Sequence, residues 1–290
     1  MTDPPPSPPI AWVLRDRPFI WGQQTYLMGV LNVTPDSFSD GGQFNTLETA
    51  LTQAQQMVRN GADLLDIGGQ STRPNATEVT LEVELDRVIP IIQALRQDAT
   101  FATVPISVDT TQAEVAKAAI AAGADFVNDI SGGTFDADML SEVAKLGVPI
   151  VLMHLRGNPR TMQQMTDYQD LMGEIYHRLQ HQITAAIAAG IDRTQIMIDP
   201  GIGFAKKPAQ SLEILRKLPV LHRLNCPILV GASRKSFIGH ILDQPDPKQR
   251  VWGTAAACTI AIIGGAHMLR VHDVAEMRDV CRVADAIWRG

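Results

Sequence analysis

Gly61-Ala-Asp-Leu-Leu-Asp-Ile-Gly-Gly69 and Gly123-Ala-Asp-Phe-Val-Asn-Asp-Ile-Ser-Gly-Gly133 share one plan. A glycine after a helical stretch takes the left-handed conformation that closes the helix. An apolar residue and an aspartate turn the chain back. A short apolar run then crosses the core and ends in polar residues and glycine. Related returns stand at Gly147-Val-Pro149, Gly190-Ile-Asp192 and Gly265-Ala-His267. Between them the hydrophobic pattern alternates between short β-type runs and longer amphipathic helical ones.

The strands predicted from this pattern are Tyr26–Asn32, Leu64–Gly68, Pro105–Asp109, Phe126–Ile130, Pro149–His154, Ile196–Asp199, Ile228–Gly231 and Met268–Arg270. The helices predicted are Leu47–Asn60, Glu82–Arg96, Thr111–Ala122, Ala137–Lys145, Tyr168–Ala189, Ala209–Arg223, Pro247–Ile263 and Val274–Trp288. Eight β/α units on roughly 250 residues make an α/β fold of the (β/α)8 (TIM) barrel class. A doubly wound sheet is the alternative; eight units without a GxGxxG break favour closure. Residues 10–24 hold two apolar runs around Arg15-Asp-Arg-Pro18, which predicts an N-terminal β-hairpin plugging the barrel's N-terminal mouth. The opening Met1-Thr-Asp-Pro-Pro-Pro-Ser-Pro-Pro9 reads as a stiff, solvated, disordered arm. No Gly, Ser or Pro linker divides residues 10–290, so they are expected to form a single domain.

Composition agrees. The chain has 290 residues, 45% of them hydrophobic, 19% charged and 5% aromatic. A chain of this kind builds a core and is neither collagen-like nor a disulfide-stapled miniprotein. The net charge is −6. No global positive field draws it to nucleic acid or an anionic membrane. No apolar run reaches the ~18–20 residues of a membrane span. Cys226, Cys258 and Cys281 form no CxxC pair, which suits a reducing, cytoplasmic setting over a zinc or disulfide framework.

In a barrel, the loops after the strand C-termini form the active face. The strands end in Asn32, Gly68-Gly-Gln-Ser-Thr-Arg-Pro74, Ser107-Val-Asp109, Asn128-Asp-Ile-Ser131, Met153-His154, Asp199, Gly231-Ala-Ser-Arg-Lys235 and Arg270-Val-His272. Polar chemistry therefore collects at one end of the barrel, while the other end carries mostly Gly, Ala and Pro. Singly, each residue has a plainer explanation. Asp109 or Asp199 could cap the next helix, Asn128 could close a turn, and Arg270 and His272 could be solvated. All of them together point to a site. There is no HExxH, no P-loop and no GxSxG elbow. Asp and Asn can grip the hydrogen-bonding edge of a planar heterocycle, and Arg270 can stack on its ring. Arg270, His272, Asn32, Thr72 and Arg73 can hold a phosphate or pyrophosphate.

The segments Met28-Gly-Val-Leu-Asn-Val-Thr-Pro-Asp-Ser-Phe-Ser-Asp-Gly-Gly42 and Asp66-Ile-Gly-Gly-Gln-Ser-Thr-Arg-Pro74 resemble the two signatures of the dihydropteroate synthase family of pterin-binding enzymes. Ser107-Val-Asp-Thr110, Asn128-Asp-Ile130, Val151-Leu-Met-His154, Asp199-Pro-Gly-Ile-Gly-Phe204, Ser233-Arg-Lys-Ser236 and Arg270-Val-His-Asp273 follow in that family's order. The resemblance spans about residues 26–289. It implies a transferase of folate biosynthesis. Such an enzyme joins 6-hydroxymethyl-7,8-dihydropterin diphosphate to 4-aminobenzoate and releases diphosphate and 7,8-dihydropteroate.

By the same resemblance, Asp109, Asn128, Asp199 and Lys235 would hold the pterin, and Ile130 and Met153 would line its pocket. Arg270 would stack on the ring and bind diphosphate with His272 and Asn32. Thr72 would contact both substrates, and Thr72, Arg73, Pro74, Phe204 and Ser233 would border the aminobenzoate. Asp109, Lys235, Arg270, His272 and Arg73 would carry the catalytic work. Asn32 would contact a Mg2+ that travels with the diphosphate. The Thr34–Gly42 and Gly69–Pro74 loops would close over the site, Asp36 adding a carboxylate. Gln70 stands where many members carry Glu, and Ala205 where many carry Gly. A homodimer through the last helices is also implied. A pterin-binding methyltransferase of the same fold is the alternative, against which the two loops argue.

Overall fold

A computed structural model of the chain describes residues 11–34, 43–71 and 79–289. The Pro-rich arm and the site residues Thr72, Arg73 and Pro74 lie outside the described residues, as do Asp36 and most of the two loops.

The chain opens with β1 (Trp12–Leu14) and β2 (Arg17–Phe19), paired antiparallel with Trp12 opposite Phe19. The eight barrel strands are β3 (Tyr26–Asn32), β4 (Leu64–Gly68), β5 (Ile106–Asp109), β6 (Phe126–Asp129), β7 (Ile150–Met153), β8 (Ile196–Asp199), β9 (Leu229–Val230) and β10 (Met268–Val271). They are parallel and lie in the order β8-β7-β6-β5-β4-β3-β10-β9. The last seam closes where the Ile198 amide donates to the Pro227 carbonyl at 2.9 Å, beside an Ile198–Ile228 bridge. The helices are α1 (Gln43–Arg59), α2 (Leu81–Gln97), α3 (Ala113–Ala122), α4 (Met139–Leu146), α5 (Leu171–Ala188), α6 (Pro208–Lys217), α7 (Ser236–Leu242), α8 (Val251–Ile263) and α9 (Val274–Trp288). The expected barrel and hairpin are both present.

Local chemistry sets the joints. Gly123 closes α3 at φ 114°, its amide reaching back to the Ala119 and Ile120 carbonyls. The other four Gly-led returns also have positive φ. In the two-residue hairpin turn, Arg15 and Asp16 both adopt positive φ. Arg15 is held there by Asp125 Oδ1 at 2.6 Å and the Gly123 carbonyl at 2.9 Å.

Three expectations need correction. The helix expected over Ala209–Arg223 stops at Lys217, and Leu218–Leu224 winds as a 3-10 helix. Pro219 has no amide to continue the i→i−4 ladder. The helix expected from Pro247 begins at Val251, after a separate 3-10 turn at Pro247–Gln249. Helix α7 was not expected at all.

Two apolar layers hold the barrel. Between sheet and helices lies one continuous core. Inside, at the N-terminal mouth, Met28, Leu64, Phe126, Val151, Met197, Leu229 and Met268 pack against Trp12, Phe19 and Trp21 of the hairpin. The rings of Trp12 and Trp21 meet edge-on at 5.4 Å, and Trp12 meets Phe126 at 5.5 Å. The hairpin is thus the plug of the barrel floor.

Candidate active site

Side chains alternate along a strand, so the residue two places beyond each floor residue also points into the barrel. Leu64 leads to Asp66, Phe126 to Asn128, Val151 to Met153, Met197 to Asp199, and Met268 to Arg270. An apolar floor therefore carries a polar layer immediately above it, facing the strand C-termini.

At the centre of this layer is Asp66, fully buried. Its Oδ1 accepts from Ser107 Oγ at 2.6 Å. Its Oδ2 accepts from Arg270 Nε at 2.6 Å and Asn128 Nδ2 at 3.2 Å. Arg270 Nη2 donates to Asp109 Oδ2 at 2.7 Å. Burial opposes the charge on Arg270, but the Asp66 and Asp109 carboxylates outweigh it and hold the guanidinium firmly protonated. Burial pushes Asp109 above the usual carboxylate range, and Arg270 draws it part of the way back.

Across the barrel, Asp199 is also pushed up by burial, while the Gly201 amide, donating to Oδ1 at 2.6 Å, and Lys235 oppose the shift. This bond is a local turn in the loop after β8 and not the helix cap of the plainer explanation, since α6 begins only at Pro208 with Lys207 at its N-cap. Lys235, at the N-cap of α7, is pushed below the ordinary lysine range by burial, against the pull of Asp199. Its Nζ lies 3.9 Å from the centroid of the Phe204 ring. Ile130, Met153 and Phe204 pack together as an apolar wall. A cleft of about 230 Å³ opens between Asp109, Ile130, Gln70 and the loop at 157–160.

At the rim, Asn32 ends β3, half-buried and opposite Gly68. His272 follows β10, and Ser233 Oγ accepts from its amide at 3.2 Å and lies 3.1 Å from its Nδ1. Ser233, expected at the aminobenzoate border, thus sits against the residue expected to meet the diphosphate. Among the described residues no three His, Cys, Asp or Glu side chains converge as a metal cage. The structure brings together Asp109, Asn128, Asp199, Lys235, Arg270, Ile130 and Met153.

Two groups escaped the sequence reading. Asp66 is one; its place between the interior positions Leu64 and Gly68 was the available signal. The other is a buried Lys206–His154 pair, with Lys206 Nζ 3.0 Å from His154 Nδ1 and donating to the Phe204 carbonyl at 2.8 Å. Burial pushes Lys206 down to about 7 and His154 well below the usual imidazole range. The pair ties the loop after β8 to the end of β7, and nothing in the motif spacing announced it.

Comparison with known proteins places this geometry. The family described as "Pterin binding enzyme" matches residues 28–272. A dihydropteroate synthase of Synechocystis sp. is 58% identical over 285 residues, covering 98% of this chain and 96% of that protein. A Xanthomonas albilineans dihydropteroate synthase solved with 4-aminobenzoic acid superposes with a TM-score of 0.89 at 43% identity, over 96% of this chain and 98% of the other. The enzyme from the same organism solved with 7,8-dihydropteroate gives 0.85 at 41% identity, over 96% and 98%. With the pterin-binding match across most of its length, a floor-and-polar-layer barrel, and these relatives, the chain belongs to the dihydropteroate synthase family of pterin-binding enzymes.

Proposed function

We propose that this chain is a transferase of folate biosynthesis, a dihydropteroate synthase. It condenses 6-hydroxymethyl-7,8-dihydropterin diphosphate with 4-aminobenzoate to give 7,8-dihydropteroate and diphosphate. The observation that carries this reading at the level of residues is the layer of Asp109, Asn128, Asp199, Lys235 and Arg270 above a closed apolar floor.

In this reading Asp199 accepts from the donor edge of the pterin, and Asn128 and Lys235 complete the ring's hydrogen bonds. Ile130, Met153 and Phe204 cover its faces with apolar surface. The bond from the pterin methylene to the diphosphate oxygen breaks, and the electron pair leaves with the diphosphate. Arg270 and His272 meet the charge that develops there. The methylene carbon becomes electron-poor, and the carboxylate of Asp109 stabilises it. The aromatic amine attacks that carbon and sheds a proton. No covalent bond to the protein is needed, in keeping with a site that presents carboxylates, an amide and cations.

Mg2+ fits the residues present. The carboxamide oxygen of Asn32 is a hard donor at the rim, and Mg2+ is commonly held by one or two protein oxygens together with substrate phosphates and waters. Asn32 would hold it, and the ion would supply charge neutralisation for the departing diphosphate. Arg73, Thr72 and Pro74 are proposed for the aminobenzoate end, with Phe204 and Ser233.

A homodimer is part of the proposal. Helices α8 and α9 leave Trp252 79% and Ile287 79% exposed, with Ile260, Ile263 and Val283 also in solvent. An apolar groove among Leu212, Phe237, Ile241 and Ala256 continues that face. A cytoplasmic setting is part of the proposal, supported by three buried free cysteines; among the described residues no helix is long and apolar enough to cross a membrane.

The test is direct. The purified chain with pterin diphosphate, 4-aminobenzoate and Mg2+ is expected to release diphosphate and form pteroate in equal amounts. Absence of product under conditions where an authentic synthase works would overturn the reading.

A further inference from the structure

Asp66 never reaches the cleft, yet more of the polar layer converges on it than on any other residue described there. Its carboxylate gathers Ser107 from β5, Asn128 from β6 and Arg270 from β10. Those strands lie on both sides of β4, so one buried group cross-links side chains from opposite flanks of the barrel mouth. We propose that Asp66 is a positioning residue for the transfer reaction, fixing Arg270 and Asn128 in the geometry the pterin diphosphate meets. The inference rests on the synthase reading and deepens it.

Stability alone gives little reason for a carboxylate here. Replacing a buried ion pair by well-packed apolar residues is often neutral or stabilising. One layer below, the same strands fill the barrel with Leu64, Phe126 and Met268. The charge stands only in the layer under the cleft. Its effect on Arg270 is specific. A guanidinium is planar, so two anchored nitrogens fix its plane. Nε is anchored on Asp66 and Nη2 on Asp109. Asp109 borders the cleft and is available to substrate. Asp66 is sealed away and keeps its hold on Nε when a ligand engages Asp109. It also fixes Asn128: with Nδ2 donating to Asp66, the carboxamide is held in one orientation and its oxygen is left as an acceptor.

The measurement uses the full chain with Asp66→Asn, which keeps the volume but presents an amide donor where donors already point. The folded variant, checked by circular dichroism and thermal melting, is expected to lose kcat/KM for pterin diphosphate by on the order of 10²-fold, the scale of a misplaced reactive geometry. Its KM for 4-aminobenzoate is expected to stay within about twofold, the two effects separating as they would for a group acting through Arg270. Introducing Asp66→Asn on an Arg270→Ala background is expected to add much less than it does alone. A folded variant with a wild-type rate, or losses that multiply fully in the double variant, would overturn the proposal. Should Asp66→Asn fail to fold, Ser107→Ala removes the donor to Oδ1, together with a longer 3.3 Å contact to the Leu65 carbonyl. It is expected to cost roughly tenfold in the same parameter, and no change there counts against the role. Calorimetric binding of pterin diphosphate separates the ground-state part of that loss from the part expressed only in the transition state. A wild-type chain that makes no pteroate counts against the synthase reading, whereas active wild type with unaffected variants counts against Asp66.

Discussion

At the scale of single residues, the site is governed by burial acting on charge. Asp199 and Asp109 are held above the ordinary carboxylate range and Lys235 below the ordinary lysine range, each chiefly by loss of water. In the proposed reading the donor edge of the pterin needs Asp199 ionised, and Lys235 needs its proton to donate. kcat/KM for the pterin substrate should therefore rise with pH as Asp199 deprotonates, above the usual carboxylate range. It should fall again as Lys235 deprotonates, below the usual lysine range. A profile that is flat between about pH 5 and 9 would contradict these assignments.

Asp199→Ala should abolish pterin binding, because the heterocycle edge loses its acceptor; unchanged affinity by calorimetry would refute that role. Arg270→Ala should weaken the diphosphate substrate far more than pteroate, and an equal loss for both would mean it only stacks. Gly231 offers a gentler probe. Its backbone φ is ordinary, and a methyl built there would stand 3.9 Å from Arg270 Cβ and 4.0 Å from Asp199 Oδ2, in ordinary contact. Gly231→Ala should melt near the wild-type temperature and still raise KM for the pterin, since the methyl enters the space between two site residues.

At the scale of elements, the hairpin and the strand ends divide the labour. β1 and β2 carry no site residue, but Trp12 is 4% exposed and its Nε1 donates to the Thr194 carbonyl at 2.8 Å. Trp12→Ala should cost about 3–5 kcal/mol in urea unfolding, the usual range for an emptied aromatic site, while leaving the KM values of the folded enzyme close to wild type. Several strands were legible to the residue: β3, β4 and β8 match their sequence spans, as does α9. The strands announce themselves as short apolar runs buried on both faces and bounded by glycine or polar residues, and α9 by the apolar stripe of an amphipathic helix. α7 did not. It has seven residues with Gly239 in the middle, and the Arg250 guanidinium packs where a Cβ on that glycine would stand. Arg250 donates to the Arg234, Gln244 and Pro245 carbonyls, tying down α7 through the segments that flank it on both sides. Such a helix owes its order to tertiary contacts more than to its own propensity.

At the scale of the whole molecule, the chain is negative overall, with a net charge of −6, yet gathers Lys235, Arg270 and His272 at one barrel mouth. On α8 and α9, Trp252, Ile260, Ile263, Val283, Ile287 and Trp288 stand exposed. On the proposed homodimer, Trp252→Glu combined with Ile287→Glu should shift sedimentation to a species of one 31.6 kDa chain. A wild-type chain already monomeric at micromolar concentration would contradict the dimer.

By itself the sequence determined the alternation of strand and helix, the side of the barrel that carries chemistry, and most of the residues that meet there. All three are written in local periods, two residues for strands and 3.6 for helices, and in the glycines that end each unit. Only the tertiary structure decided which of these side chains touch. That Asp66 takes the Arg270 Nε while Asp109 takes its Nη2, and that Lys206 leans on His154, depends on the register between strands far apart in the chain. Register is set when eight strands close on one another over a packed floor, and that closure is a property of the whole barrel and of no segment within it.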